Sequence, residues 1–138
     1  MSETGDQNIE AIGKLIQLTQ KGKVEWNSVD PDVIQSLPPE DMVNSVFICN
    51  YKDKLLRIYH RKYKSYPGLG LSLFGGNEKS PKEKKWFSEA VLELIDDSGN
   101  SVWQFPKERI LHDLLDAVKY KASGASDVIQ SLLNENNA

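Results

Sequence analysis

A short basic segment contains the residue types in this chain best suited to binding chemistry. Arginine and tyrosine alternate along it, in the order Leu55, Arg57, Tyr59, Arg61 and Tyr63. Because side chains alternate across a β-strand, we expect these residues to share one face of a sheet. Guanidinium groups bind phosphates through paired hydrogen bonds, and tyrosine rings stack on bases. The row is therefore a candidate binding surface for single-stranded nucleic acid or for an acidic protein.

The same pattern has a purely structural interpretation. Arginine beside tyrosine on a sheet also makes cation–π and cross-strand packing contacts without any ligand. On the opposite row, Leu56 and Ile58 are predicted to point into the core, and Lys62 and Lys64 are predicted to be solvated. Glu89 and Glu93 also share one strand face, and we expect them to form exposed ion pairs with the basic segment, each contributing about 0.2–1 kcal/mol.

Charge is segregated along the 138 residues. Lys52–Lys85 contains ten basic and three acidic residues, whereas residues 1–51 contain three and eight, and residues 86–138 contain four and nine. Opposed charge regions favour a charged partner over an apolar one, and they also allow a symmetric homodimer. The net charge of −3 repels a polyanion beyond the basic segment, so an acidic protein surface is favoured over nucleic acid.

The glycine-rich stretch Pro67–Gly76 does not match a phosphate-binding motif. Leu73 stands where a dinucleotide fingerprint that starts at Gly68 needs its third glycine. Gly76 stands where a phosphate-binding loop needs lysine. These glycines are instead predicted to shape turns at strand ends.

Residues that often bind metals or catalyse reactions are present but scattered. His60, His112 and Cys49 fall in separate predicted elements, without the short spacing typical of metal ligands. Asp96 and Asp97 belong to a turn cluster, where aspartate bonds the turn backbone. We predict no catalytic residue, no metal site and no cofactor. A non-enzymatic role is favoured, although active sites often leave no local signature.

The predicted order of elements is helix, sheet, helix. A first helix is expected over Asn8–Lys21, and a short one, capped by Asp30, from Pro31 through Leu37. Two C-terminal helices are expected after Pro106 and Ser126. Two antiparallel hairpins are predicted, with turns at residues 51–54 and 96–100, and an additional strand is expected over Leu69–Phe74. Gly75–Lys85 is predicted to be an exposed loop.

These elements and an apolar share of 39% predict one α+β domain over residues 1–138, frayed near 1–7 and 134–138. Its antiparallel sheet of four or five strands should pack on one face against the N-terminal and C-terminal helices. A repeated hexapeptide, at Asp32–Leu37 and Asp127–Leu132, is interpreted as a coincidence between two core-facing helices.

The polar N-terminus and the absence of any long apolar run predict a cytoplasmic protein without a membrane span. The lone Cys49, among apolar neighbours, is expected to be buried, which is compatible with a reducing compartment. Trp86 adjoins the lysine-rich loop and is a candidate anchor for a partner.

The C-terminal half, from Glu93 to Pro106 and from Leu114 to Gly124, together with Tyr59–Tyr63, resembles a group of small uncharacterised bacterial proteins. The resemblance covers about two thirds of the chain. It implies a bacterial cytosolic setting and supplies no catalytic position.

From these observations we predict a non-enzymatic protein-binding or accessory module. Its predicted binding residues are Arg57, Tyr59, Arg61, Tyr63 and Trp86. The alternative is single-stranded nucleic-acid binding by the same row.

Overall fold

The computed structural model describes residues 2–34, 37–38, 40–66 and 83–135. Its helices are α1 (Ser2–Gln20), α2 (Ile110–Ala122) and α3 (Ala125–Leu133), with a short 3-10 helix at Pro31–Val33. Its strands are β1 (Asn27–Val29), β2 (Met42–Tyr51), β3 (Lys54–Ser65), β4 (Lys85–Ile95) and β5 (Ser101–Gln104). All neighbouring strands are antiparallel, and their order in the sheet follows the chain.

The main core lies between one face of the sheet and the helices α1 and α2. Both helices are amphipathic, and their apolar stripes meet alternate residues of β2, β3 and β4. The most completely buried side chains of this core are Ile12, Ile58, Leu92, Leu111, Leu114 and Val118. The predicted α+β class, with helices from both ends of the chain on one sheet face, is confirmed.

Both predicted hairpin turns are present. Lys52 and Asp53 have positive φ values of 50° and 69°, as in the type I′ turn that suits two-residue hairpins. Asn50 Oδ1 accepts a hydrogen bond from the Asp53 amide. In the second turn Gly99 has a φ of 87°, which its missing Cβ makes accessible.

The other face of the sheet is also covered, which the sequence analysis did not predict. The expected helix from Pro31 through Leu37 is wrong, because the described residues of this range form only a 3-10 turn at Pro31–Val33 and Ile34 is extended. Asp30 does cap this short turn by accepting a hydrogen bond from the Asp32 amide. Ile34 and Leu37 pack instead on a second core of Val46, Tyr59 and Val91.

Helix α3 differs from the expected core-facing helix. None of its residues is buried, and its apolar side chains Val128, Ile129, Leu132 and Leu133 are all exposed. The prediction that both copies of the hexapeptide lie in core-facing helices is therefore wrong, because the first copy begins with a short 3-10 turn without buried residues and the second lies on this exposed helix. Gly124, with a φ of 77°, turns the chain between α2 and α3.

The predicted strand Leu69–Phe74 and most of the predicted loop Gly75–Lys85 lie outside the described residues. The described residues resume at 83, and β4 begins at Lys85. Among the described residues, no helix has both the length and the apolar character that a membrane span requires.

Candidate interaction surface

The sequence-predicted row on β3 lies on the sheet face opposite α1 and α2. Its alternation is as predicted, with Leu56 and Ile58 on the helix side and Tyr59 in the second core. Arg57 and Tyr59, however, are only 5% and 4% exposed. Neither residue therefore presents enough surface to contact a partner in this structure.

Arg57 is held by a buried ion pair with Glu93, directly opposite on β4. Arg57 Nε and Nη2 lie 2.7 and 2.6 Å from Glu93 Oε2. Nη1 donates a third hydrogen bond, of 3.0 Å, to the Gly99 carbonyl in the second hairpin turn. The guanidinium is therefore committed to internal partners, since buried charges require such pairing.

The Tyr59 hydroxyl is not an exposed reactive group. Burial raises the pKa of its phenol from 10.0 to about 12, and the nearby Glu93 carboxylate adds to the increase. The phenol is therefore neutral across the physiological pH range. Its ring contributes to the second core rather than to a stacking surface.

Arg61 is also paired, in a network that joins β3 to three other parts of the chain. Its Nε lies 2.7 Å from Asp41 Oδ2 and its Nη1 lies 2.8 Å from Glu89 Oε2. Lys107 approaches the other oxygen of Glu89 at 3.2 Å. The predicted ion pairs of Glu89 and Glu93 with the basic segment are therefore present, but the Arg57–Glu93 pair is buried and the Arg61–Glu89 pair is partly buried rather than exposed.

Tyr63 lies beside Arg61 on this face and is partly covered. The Arg61 guanidinium is 4.5 Å from the centre of the Tyr63 ring, and the Phe87 ring stacks on it at 5.9 Å. Lys107 Nζ donates to the Tyr63 hydroxyl at 3.4 Å. The structure thus brings Arg61 and Tyr63 together, but mainly through internal contacts.

Trp86 lies on the opposite face from this row, as the second residue of β4. It stands opposite Lys64 in the register of β3 and β4. Its side chain is 49% exposed, and Lys64 Nζ is 5.0 Å from the ring centre. The five predicted residues therefore do not form one surface.

A different set of exposed residues, which we call the basic–aromatic patch, consists of Lys62, Lys64, Tyr66, Lys84 and Trp86. Lys62, Lys64 and Trp86 lie on the helix-side face at the end of β3 and the start of β4, whereas Tyr66 directly follows β3 and Lys84 directly precedes β4. Tyr66 and Lys84 repeat the pairing of Trp86 with Lys64, since Lys84 Nζ lies 5.6 Å from the Tyr66 ring centre. The patch combines positive charge with exposed aromatic surface.

The charges of the patch differ from those of the buried arginines. Neither Lys62 nor Lys64 forms an ion pair with a residue in the described ranges, and Lys84 reaches Glu40 only at 3.8 Å between exposed side chains. Sequence reasoning treated Lys62 and Lys64 simply as solvated. Their position opposite Ser88 and Trp86 could be recognised only with the strand register known.

The part of the chain that the structure describes holds no group of three metal-binding side chains. Cys49 is buried, and burial raises the pKa of its thiol from 9.0 to about 12. The thiol is therefore protonated and poorly nucleophilic at neutral pH.

His60 lies at the inner border of the patch, half-buried and near α2. Burial lowers the pKa of His60 below its ordinary value of 6.5, and the positive charges of His112, Lys119 and Lys62 lower it further. In the window between the folded-state pKa and 6.5, the unfolded chain therefore binds more protons than the folded protein. Neutral His60 therefore contributes to stability. This contribution is fully present above about pH 6.5, and it is lost as the pH falls through the folded-state pKa of His60.

We therefore expect the substitution His60→Gln to flatten the pH dependence of stability just below neutrality. Urea unfolding of both proteins at several pH values between about 5 and 7.5 measures this effect. As a control, Lys119→Gln should raise the pKa of His60, measured by NMR of the imidazole, because a positive neighbour is removed. Equal slopes for the His60→Gln variant and the unmodified protein would contradict this assignment.

These features define an α+β domain with an exposed basic–aromatic patch and a buried ion-pair network. No family model, curated protein or solved structure matches the chain. The resemblance to small bacterial proteins therefore stays a prediction.

Proposed function

We propose that this protein is a non-enzymatic binding module that holds an acidic protein surface on its basic–aromatic patch. The observation that supports this most directly is the exposure of Trp86 beside Lys62 and Lys64, whose charges have no described carboxylate partner. Aromatic anchors within a charged surround are typical of interface hot spots. The internal ion pairs of Arg57 and Arg61 support this patch, rather than the arginine row, as the binding surface.

A cytoplasmic setting belongs to the same proposal. It is supported by Cys49, which is a buried free thiol. A reducing compartment preserves such a thiol.

The proposal predicts that reversing two charges of the patch abolishes partner recovery without unfolding the domain. The variant is Lys62→Glu with Lys64→Glu, both at exposed positions. A matched control with the same change in net charge is Lys21→Glu with Lys23→Glu, also exposed but on the segment after α1. Tagged proteins are compared by affinity capture from native lysate treated with nuclease, and circular dichroism checks their folding.

A protein recovered with the unmodified and control chains, but not with the patch variant, is the expected result. Once that partner is purified, Trp86→Ala should weaken its binding by about thirtyfold, since a hot-spot residue contributes about 2 kcal/mol or more. Equal recovery by the patch variant and the control would contradict the proposal.

Single-stranded nucleic acid is the second candidate ligand for the same patch. The observation that favours it is the repeated pairing of an exposed ring with a lysine, Trp86 with Lys64 and Tyr66 with Lys84. Rings can stack on bases while the adjacent amines bind phosphates. If three lysines each neutralise one phosphate, the affinity for an oligonucleotide should fall with salt at a logarithmic slope of about −2. A flat salt response would exclude this candidate.

A further inference from the structure

A cavity of about 400 Å³ lies at the opposite end of β3 from the basic–aromatic patch, between α1 and the sheet. Its walls are almost wholly apolar and come from Ile12, Leu15, Leu18, Leu56, Leu94 and Phe105. Three of these, Leu18, Leu94 and Phe105, are only partly buried by the protein itself. The main core thus continues into an open apolar recess.

The mouth of this cavity carries positive charge. Lys14 reaches it from α1, and Lys54 and Tyr51 reach it from the first hairpin, where they face each other across the strands. Both lysines are exposed, and neither is ion-paired with a residue that the structure describes. No carboxylate is among the lining residues of the cavity.

We propose that this cavity binds a medium-chain alkyl carboxylate. The alkyl chain occupies the apolar recess, and the carboxylate lies at the mouth beside Lys14 and Lys54. An apolar lining with a few converging polar groups is the usual composition of a small-molecule site. The site is separate from the patch, so its occupancy does not depend on the function proposed above.

Charge and size together select this class of ligand. Two amines at the mouth disfavour a cation and leave a neutral ligand without an ionic partner. The volume of about 400 Å³ lies near the lower end of the range for ligand pockets, about 300–1,000 Å³, so a small molecule fits better than a long lipid.

Calorimetric titration of the full chain with sodium octanoate tests the proposal. We expect saturable binding of one octanoate per chain. The variant Ala11→Trp places a large ring at the lining position on α1 and should abolish binding. The matched control Gln17→Trp adds the same ring to the same helix outside the lining and should bind normally.

The charged mouth is tested separately by the double variant Lys14→Gln with Lys54→Gln. This variant loses the two exposed ion pairs between the lysines and the ligand carboxylate, so its affinity for octanoate should fall about fivefold or more. Its affinity for 1-octanol, which has no carboxylate, should change less than about twofold. Absence of saturable octanoate binding, or unchanged binding to a folded Ala11→Trp variant, would overturn the site. Equal loss of octanoate and octanol affinity would overturn the assignment of a carboxylate ligand.

Discussion

Replacing Glu93 by Gln is expected to lower the free energy of unfolding by about 3–5 kcal/mol. The substitution removes the negative charge that faces Arg57 at 2.6 Å, while both side chains remain almost completely buried. An uncompensated buried cation is costly, because the interior replaces little of the hydration that the guanidinium loses. The loss is a large fraction of the 5–15 kcal/mol that stabilises an ordinary domain. Urea unfolding of the variant and the unmodified protein measures it directly.

A control and a rescue make this result specific to the buried pair. Glu40→Gln removes the carboxylate of the exposed pair with Lys84, and it should cost less than about 1 kcal/mol. Arg57→Met combined with Glu93→Leu removes both charges, and it should recover most of the loss, since apolar replacement of a buried pair is often neutral. Equal losses for Glu93→Gln and Glu40→Gln would show that the buried charges do not carry this energy.

Leu114→Ala is expected to destabilise the protein by about 2–5 kcal/mol, because it opens a cavity between α2 and the rest of the main core. Leu114 is 0% exposed and belongs to the core shared by α1, α2 and the sheet. The same substitution at Leu132, which is 67% exposed on α3, should change stability by less than about 0.5 kcal/mol.

Chemical denaturation of these two variants compares identical side-chain truncations in neighbouring helices. The expected contrast follows from the position of α3 outside both cores. A loss at Leu132 as large as that at Leu114 would mean that the α3 stripe is covered in solution. Equal small effects would instead contradict the placement of α2 in the core.

Local chemistry explains which parts of the fold were predictable. The turn at Asp96–Gly99 depends on a glycine with positive φ and on Asp96 Oδ1, which accepts hydrogen bonds from the Ser98 and Asn100 amides. These determinants lie within five residues of sequence. The alternation along β3 is equally local, so Ile58 and Tyr59 were correctly assigned to opposite faces.

The candidate site was less predictable because its chemistry depends on distant segments. The burial of Tyr59 requires Ile34 and Leu37 to fold across the second face of the sheet, which no local pattern encodes. Asp41 reaches Arg61 in the same way. The lysine-rich run to Lys85 was predicted to be a loop from its composition, whereas Lys85 and Trp86 pair with β3 as the start of a strand.

The spacing of the buried charges also determines how β3 and β4 align. Arg57 stands opposite Glu93 and Arg61 opposite Glu89, so two cations four residues apart face two anions four residues apart. A slip of one residue would transfer every side chain to the wrong face. A slip of two would place Arg57 opposite Val91 or Ile95, and a slip of four that brings Arg57 to Glu89 would place Arg61 opposite Lys85. The opposite slip of four would place Arg61 opposite Glu93 and Arg57 opposite Asp97, which lies beyond the end of β4. Among alignments that keep both partners within the strands, only the observed one pairs each arginine with a carboxylate, so the ion pairs favour one register of the two longest strands.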